Sequence, residues 1–474
     1  MGTRGRKVAL ALVVLGATLF VPECPSDLEP ATSVPFAWDD DVGWQALEAR
    51  FVALRERPTE CPPLPIEALR ARLGELEGAG PSDARWAGWE QVFFDAAAIA
   101  AACPAGAAEL VAFQGEARAV IRRQARDWDI AEPAARRRLY RVLQGTRAAI
   151  EEVMLQMPPA AMPVVVRGPD VPSAGPCTEL HATRVCSGDI LLSRGGAPTS
   201  ALIARGSDHP GSFSHVALVH VDEAGTFRTI EAHIEVGVVV AGLERYEGDP
   251  KLRVMLLRPR PDALPDPGAP HRAAEAALAR AEAGHVAYDF AMDFHDPGKL
   301  FCSEVASSSY GPEGVDLWRG LTTMSGAGTA RWLSRFGVQN LETQGPSDLE
   351  YDPSLAVVAE WRDPEALFRA HVDDAVVDAL LEGADQGDDV GYDRLRLPLA
   401  RVAKAASWLR GAFGGTPEPI PEGMSATVAL RVEWLRERHG AMAAAVIDEA
   451  EVYRAERGYL PPYWELVTMA RRHR

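Results

Sequence analysis

The chain has 474 residues, of which 47% are apolar and 24% charged, and its formal net charge is -18. This length exceeds one ordinary domain, and the composition excludes a disordered polypeptide. The acidic balance excludes a nucleic-acid binder, whose partner presents phosphates, and argues equally against a peripheral grip on anionic lipid.

Arg4, Arg6 and Lys7 precede an apolar run from Val8 to Val21. Fourteen residues are short for a bilayer span but suit the core of a signal peptide. Residues 1–24 are therefore expected to be a signal peptide or an N-terminal anchor, which places the protein in the periplasm or cell envelope, with a membrane tether if the segment is kept. The match to a lipidation box around Cys24 is poor, because Val21-Pro22-Glu23 precedes it. Of the six cysteines, Cys177 and Cys186 are expected to close a loop, and Cys61 and Cys103 to pair across the first helices. That scheme leaves Cys302 free and Cys24 removed or near the membrane.

Residues 25–43 read as a linker. From Trp44 to Met157 apolar residues recur at helical spacing, which predicts a helical accessory domain over 44–157. The proline-rich stretch from Pro158 to Pro176 marks a boundary, and beyond it the period shortens to two. Short strands are predicted at Asp189–Ser193, Phe213–Val221, Phe227–Ile234, Val236–Leu243 and Leu252–Arg258, with helices at Ser200–Arg205 and His271–Ala283. Closely spaced strands joined by turns predict an antiparallel sheet with helices against it, an α+β unit over 177–345. The tail, 354–474, reads as helices at 364–384, 394–413, 424–438, 441–457 and 464–472.

Between Asp296-Pro297-Gly298 and Gly311-Pro312 lies a short helix that opens on Cys302. A thiol at a helix N-terminus feels the positive end of the peptide dipoles, which favours thiolate. A cysteine nucleophile also needs a base and a group that orients the base. His215, near the start of a strand, is the candidate base. Glu231, His233 and Glu235 lie on one face of the next strand and are candidate orienters. Alternation turns Ile230, Ala232 and Ile234 to the core, which would leave Glu231 on a solvated face. No H-E-x-x-H or C-x-x-C spacing supports a metal, and neither metal nor cofactor is expected.

Ser187-Gly-Asp-Ile-Leu-Leu-Ser193, Phe213-Ser-His-Val-Ala-Leu-Val219, Thr229-Ile-Glu-Ala232, Ala287-Tyr-Asp289 and Phe301-Cys-Ser-Glu-Val305 occur in this order. Together they resemble the circularly permuted NlpC/P60 group of papain-like cysteine amidases, the YiiX/YaeF type. In the usual order the cysteine comes first; here the histidine strand precedes the cysteine helix. The resemblance spans about Gly188 to Tyr310, roughly a quarter of the chain, and says little about either helical region. It implies a permuted papain-like domain with Cys302 as nucleophile, His215 as base and Glu231 as third member. Tyr288, fourteen positions before Cys302, falls where relatives place a tyrosine near the oxyanion or substrate. His233, His220 and Asp289 are read as structural. The implied function is an exported thiol hydrolase that cuts amide bonds in peptidoglycan peptides. A lipid-directed thiol acyltransferase or esterase and a non-catalytic envelope binding module are the alternatives. A cell-wall peptide or a lipid acyl group would be the partner.

Overall fold

The structure, a computed structural model, describes residues 19–23, 28–57, 61–413, 415 and 418–474. Cys24 and most of the N-terminal apolar run lie outside the described residues. The protein is mixed α and β, built on one antiparallel sheet of seven strands. In chain order these are β1 (Val165–Arg167), β2 (Ile190–Gly195), β3 (His215–Val221), β4 (Phe227–His233), β5 (Gly237–Gly242), β6 (Lys251–Pro259) and β7 (Leu355–Trp361). Across the sheet the order is β1-β7-β6-β2-β3-β4-β5. The central strands match the expected alternating segments. The sheet reaches past 177–345 on both sides, however, because β1 precedes that range and β7 follows it.

Before β1 come helices α1 (Val42–Glu56), α2 (Ile66–Glu75), α3 (Arg85–Ala102), α4 (Ala107–Ala125) and α5 (Pro133–Gln156). They close on an aromatic core that includes Trp86, Trp89, Phe93 and Phe113, all fully buried. Around the sheet lie α6 (Pro198–Arg205), α7 (Leu243–Gly248), α8 (Ala269–Ala283), α9 (Cys302–Tyr310) and α10 (Ala327–Arg335). After β7 follow α11 (Pro364–Asp385), α12 (Leu397–Ala412), α13 (Ala426–Arg457) and α14 (Tyr463–His473). The two helices expected at 424–438 and 441–457 are one helix, α13. Gly440 costs a helix interior only about 1 kcal/mol, and flanking contacts such as buried Met442 and Val446 carry the helix through.

Both faces of the sheet are covered. On one, Leu192, Val216, Leu218, Ile230 and Ala232 pack against Ala273 of α8 and Cys302, Val305 and Ala306 of α9. On the other, Leu191, Ala217, Val219 and Leu256 meet Leu180, Val185 and Tyr246. These come from the hairpin Cys177–Leu180/Thr183–Cys186 and from α7. Disulfides join Cys177 to Cys186 and Cys61 to Cys103, and Cys302 is the free cysteine among the described residues.

A buried set of charges ties the helical regions to the sheet. Arg118 of α4 and Arg147 of α5 pair with Glu360 of β7, and Arg147 also reaches Glu350 at 2.5 Å. Glu151 of α5 takes Arg253 of β6 at 2.7 Å and His371 of α11 at 3.0 Å. Removing one partner of such a pair leaves a buried charge uncompensated, at a cost of about 3–5 kcal/mol. The 44–157 helices are thus continuous with the rest through matched charges.

Candidate active site

Cys302 is the first residue of α9, 5% exposed. The Cys302 and Ser303 amides lie in the first turn, where an α-helix offers them no acceptor of its own. Glu304 caps the entry: its carboxylate accepts from the Phe301 amide at 2.9 Å. Burial raises the Glu304 carboxyl to about 8, against the lowering effect of that bond and helped by nearby Asp289. At neutral pH it is therefore mostly uncharged and does not oppose a thiolate at the same helix end.

The Ser187-Gly188-Asp189 turn fixes the sheet against α9. Gly188 has φ +91°, and a Cβ there would sit 2.4 Å from Pro270. Its carbonyl accepts from the Tyr310 hydroxyl at the far end of α9. Asp189 accepts from the Cys186 amide at 2.7 Å and takes Arg258 of β6 in a two-pronged ion pair, both contacts 2.7 Å. The motif's residues are thus accounted for by architecture that holds Cys302 in place.

His215 opens β3. The ladder pairs Ala217 with Glu231; two residues farther along the same register His215 comes opposite His233, and their rings lie 5.1 Å apart. His215 and Glu231 are then diagonal neighbours on one face, within reach of each other. Nε2 of His215 meets Oε2 of Glu231 at 2.8 Å. Nε2 is taken by Glu231, which leaves Nδ1 free, and Cys302 lies near enough to be among the groups that act on the imidazole. Burial works against charge on His215, but the bonds to Cys302 and Glu231 and their charges prevail and raise it to about 10. For Glu231 burial likewise opposes ionisation, and the bonds to His215 and His233 hold it well below the usual carboxylate range.

The expected solvated face for Glu231 is not what forms. Alternation did separate Glu231 from Ile230 and Ala232, but its face carries the second apolar layer, and Glu231 is 2% exposed. A carboxylate that deep requires partners. It has three: His215, His233 at 3.4 Å, and the Thr229 hydroxyl, which donates to Oε1 at 2.5 Å. Thr229 was missed from sequence; its two-residue offset on the same strand was the available signal. Glu235 lies beyond the end of β4 and lines a cavity instead.

Tyr288 is buried, on a two-residue strand level with Leu300, and packs in the cluster that contains Cys302. Burial, with the Cys302 charge next, raises its phenol well above the ordinary value, so it stays a neutral donor. Asp289 caps the following turn by accepting from the Ala291 and Asp293 amides at 3.0 and 2.6 Å. His220, near the far end of β3, stacks on His271 with ring centres 6.0 Å apart.

One ligand atom each from His215, Glu231 and His233 lies within 4.8 Å of the others, a grouping that could also hold a cation. From the sequence, His215 with Glu231, His233 and Glu235 could be drawn as a metal set that no tight spacing supports, because the histidines meet across two strands. Metal binding would compete with the hydrogen bonds that now orient His215.

A cavity of about 670 Å³ opens beside this group, between the sheet unit and α12 and α13. Tyr288 belongs to both, and Ile234 and Glu235 continue its wall directly after His233. Farther out the lining is mainly apolar, with Phe290, Met324, Leu333, Ala400, Ile420 and Leu430 among it, and Arg396, Glu433 and Arg436 at its edge. No family model, no curated protein and no solved structure matches the chain.

Proposed function

We propose that this protein is a cysteine acyl-transfer enzyme with a permuted papain-like catalytic unit. The observation that carries the proposal is the order Cys302–His215–Glu231: a thiol at a helix N-terminus, an imidazole whose charge that thiol supports, and a buried carboxylate on Nε2 of the ring. In this reading the Cys302 thiolate attacks the acyl carbon and forms a C–S bond. Amides of the first turn of α9 and the Tyr288 phenol would receive the oxyanion. The leaving group departs with the Nδ1 proton of His215. Water or a second acceptor then attacks the thioester, returns a proton to Nδ1 and frees Cys302. The two disulfides support the expectation of an oxidising, exported location.

Cleavage of cell-wall peptides and cleavage of lipid acyl groups share this chemistry. The mainly apolar lining of the adjoining cavity favours the second, although Asp348, Arg396, Glu433 and Arg436 also reach it. The volume falls in the range of sites for drug-sized or acyl ligands.

The test is labelling with a thiol-directed acyl probe, comparing the wild type with Cys302→Ala and His215→Ala. Labelling should be abolished by the first and reduced about a hundredfold or more by the second. Equal labelling of wild type and Cys302→Ala would refute the nucleophile, and loss of activity with a chelator would favour a metal on His215, Glu231 and His233. Ala400→Phe, which narrows the cavity, should slow long-chain p-nitrophenyl esters and spare the acetyl ester. Equal effects on both would remove the lipid preference.

A further inference from the structure

Helix α12 turns its apolar side away from the protein. Leu397, Ala400 and Ser407 face inward and are buried, and Ala400 helps to wall the cavity. On the opposite side Leu395, Leu399, Val402, Ala406, Leu409 and Phe413 follow one another at spacings of three and four, the signature of a single helical face, and all are exposed. Phe413 is 89% exposed, Leu395 79% and Leu399 71%, and Trp408, on another side of the helix, is 67% exposed. Six large apolar groups along one short segment exceed the scatter of single exposed residues that any surface shows.

The charges of the same segment depart from the rest of the chain. Arg394, Arg396, Arg401, Lys404 and Arg410 fall within it, and no Asp or Glu occurs between Asp393 and Glu418. Some of this charge is partnered, Arg396 with Glu433 at 2.8 Å and Arg410 with Glu418 at 3.9 Å, and Lys404 donates to the Pro421 carbonyl. A net charge of -18 thus conceals a locally basic, aromatic-bearing amphipathic helix. Its composition is that of helices that lie in a membrane interface, with Trp, Phe and Leu toward the acyl chains and Arg or Lys at the headgroups. The chain's N-terminal apolar run also ends here: Arg401 donates to the Val21 carbonyl, and the Glu23 amide donates to the Thr427 hydroxyl of α13 at 3.3 Å. Among the described residues no helix is long and apolar enough to cross a membrane, so α12 would lie on a bilayer rather than span it.

We propose that the outer face of α12, from Leu395 to Phe413, seats this protein on a bilayer that contains anionic lipid. The seat rests on the surface alone and stands whether or not Cys302 is a nucleophile. It would bring the headgroup layer against the helix whose inner side walls the apolar cavity, so that an acyl chain leaving the bilayer has a short path into the protein.

The test uses the full chain with vesicles of phosphatidylcholine, with and without phosphatidylglycerol. Flotation measures binding, and hydrogen exchange read segment by segment reports on α12 itself, so that binding through the N-terminal run is told apart from docking of this helix. Exchange over Leu397–Ala412 should slow about tenfold on the anionic vesicles. Leu409→Ser with Phe413→Ser should abolish that slowing and, in flotation, weaken partition about tenfold or more unless the N-terminal run retains the protein. No vesicle binding, or binding that leaves α12 exchange unchanged, would overturn the proposal. So would slowing without vesicles as protein concentration rises with a doubling of mass, because a second copy would then be the occupant.

Discussion

Replacing Glu231 by Gln keeps the shape of the His215 orienter and removes its charge. In the wild type His215 is raised from 6.5 to about 10 by two partners, Cys302 and Glu231, acting against burial. If Glu231 supplies half of the rise, the variant should titrate roughly 2 pH units lower, near 8, equivalent to ~2–3 kcal/mol of lost interaction with the imidazolium. At pH 9 about nine-tenths of the wild type but only about one-tenth of the variant would then hold the proton that the leaving group needs. Beyond any loss at pH 7, catalysis should therefore fall roughly ninefold further at pH 9. The direct assay is the carbon-13 resonance of the His215 ring followed through pH, alongside the pH profile of kcat/KM on an activated ester. The sign extends to stability: a raised histidine contributes fully below 6.5 and loses that contribution as pH rises through about 10. Glu231→Gln should accordingly melt below the wild type at pH 6, with the gap closing at the alkaline end. A wild-type midpoint near 6.5, or an unchanged midpoint in the variant, would refute the reasoning.

Gly188→Ala forces a side chain into a left-handed backbone and against Pro270; it should cost about 3 kcal/mol or more by thermal unfolding, whereas Gly196→Ala, in open space, should cost under about 0.5 kcal/mol. Arg258→Met strands the buried Asp189 and should cost about 3–5 kcal/mol, much of it recovered when Asp189→Asn is added, as a double-mutant cycle would report. Thr229→Val removes the donor on the second Glu231 oxygen and should lower kcat a few-fold, a change of ~1 kcal/mol, with KM unchanged. Glu304 is raised to about 8, so its stabilising acid form is lost as pH rises from 4.5 through 8. Glu304→Gln cannot ionise, and in chemical denaturation it should exceed the wild type in stability at pH 9 but not at pH 4.

What was legible in the sequence was local. The strand at His215, the strand at Glu231 and the helix at Cys302 each declare themselves by period and by the turns around them, and so does the helical tail up to the question of which way α12 faces. Alternation assigned Glu231 to its correct face and misjudged that face's cover, because the hairpin and α7 that bury it carry no mark of their destination. Strand β7 went unread: Leu355–Trp361 follows a proline-containing break and joins the sheet between β1 and β6, partners drawn from far along the chain. The acidic total hid the basic segment at α12, since a sum over the chain says nothing of where charge gathers.

The buried charges joining helices to sheet also set an order of assembly. Arg118 and Arg147 precede their partner Glu360 by 242 and 213 residues. During synthesis the first five helices emerge with cationic positions that belong in an apolar interior, and Arg147 then has only Glu151 of its own helix, at 3.1 Å, while the Glu360 that serves both arginines is not yet made. A stable early fold of that region would have to leave those arginines in water, and so would have to be a different packing. The N-terminal third should therefore remain open to unfolding until β7 arrives.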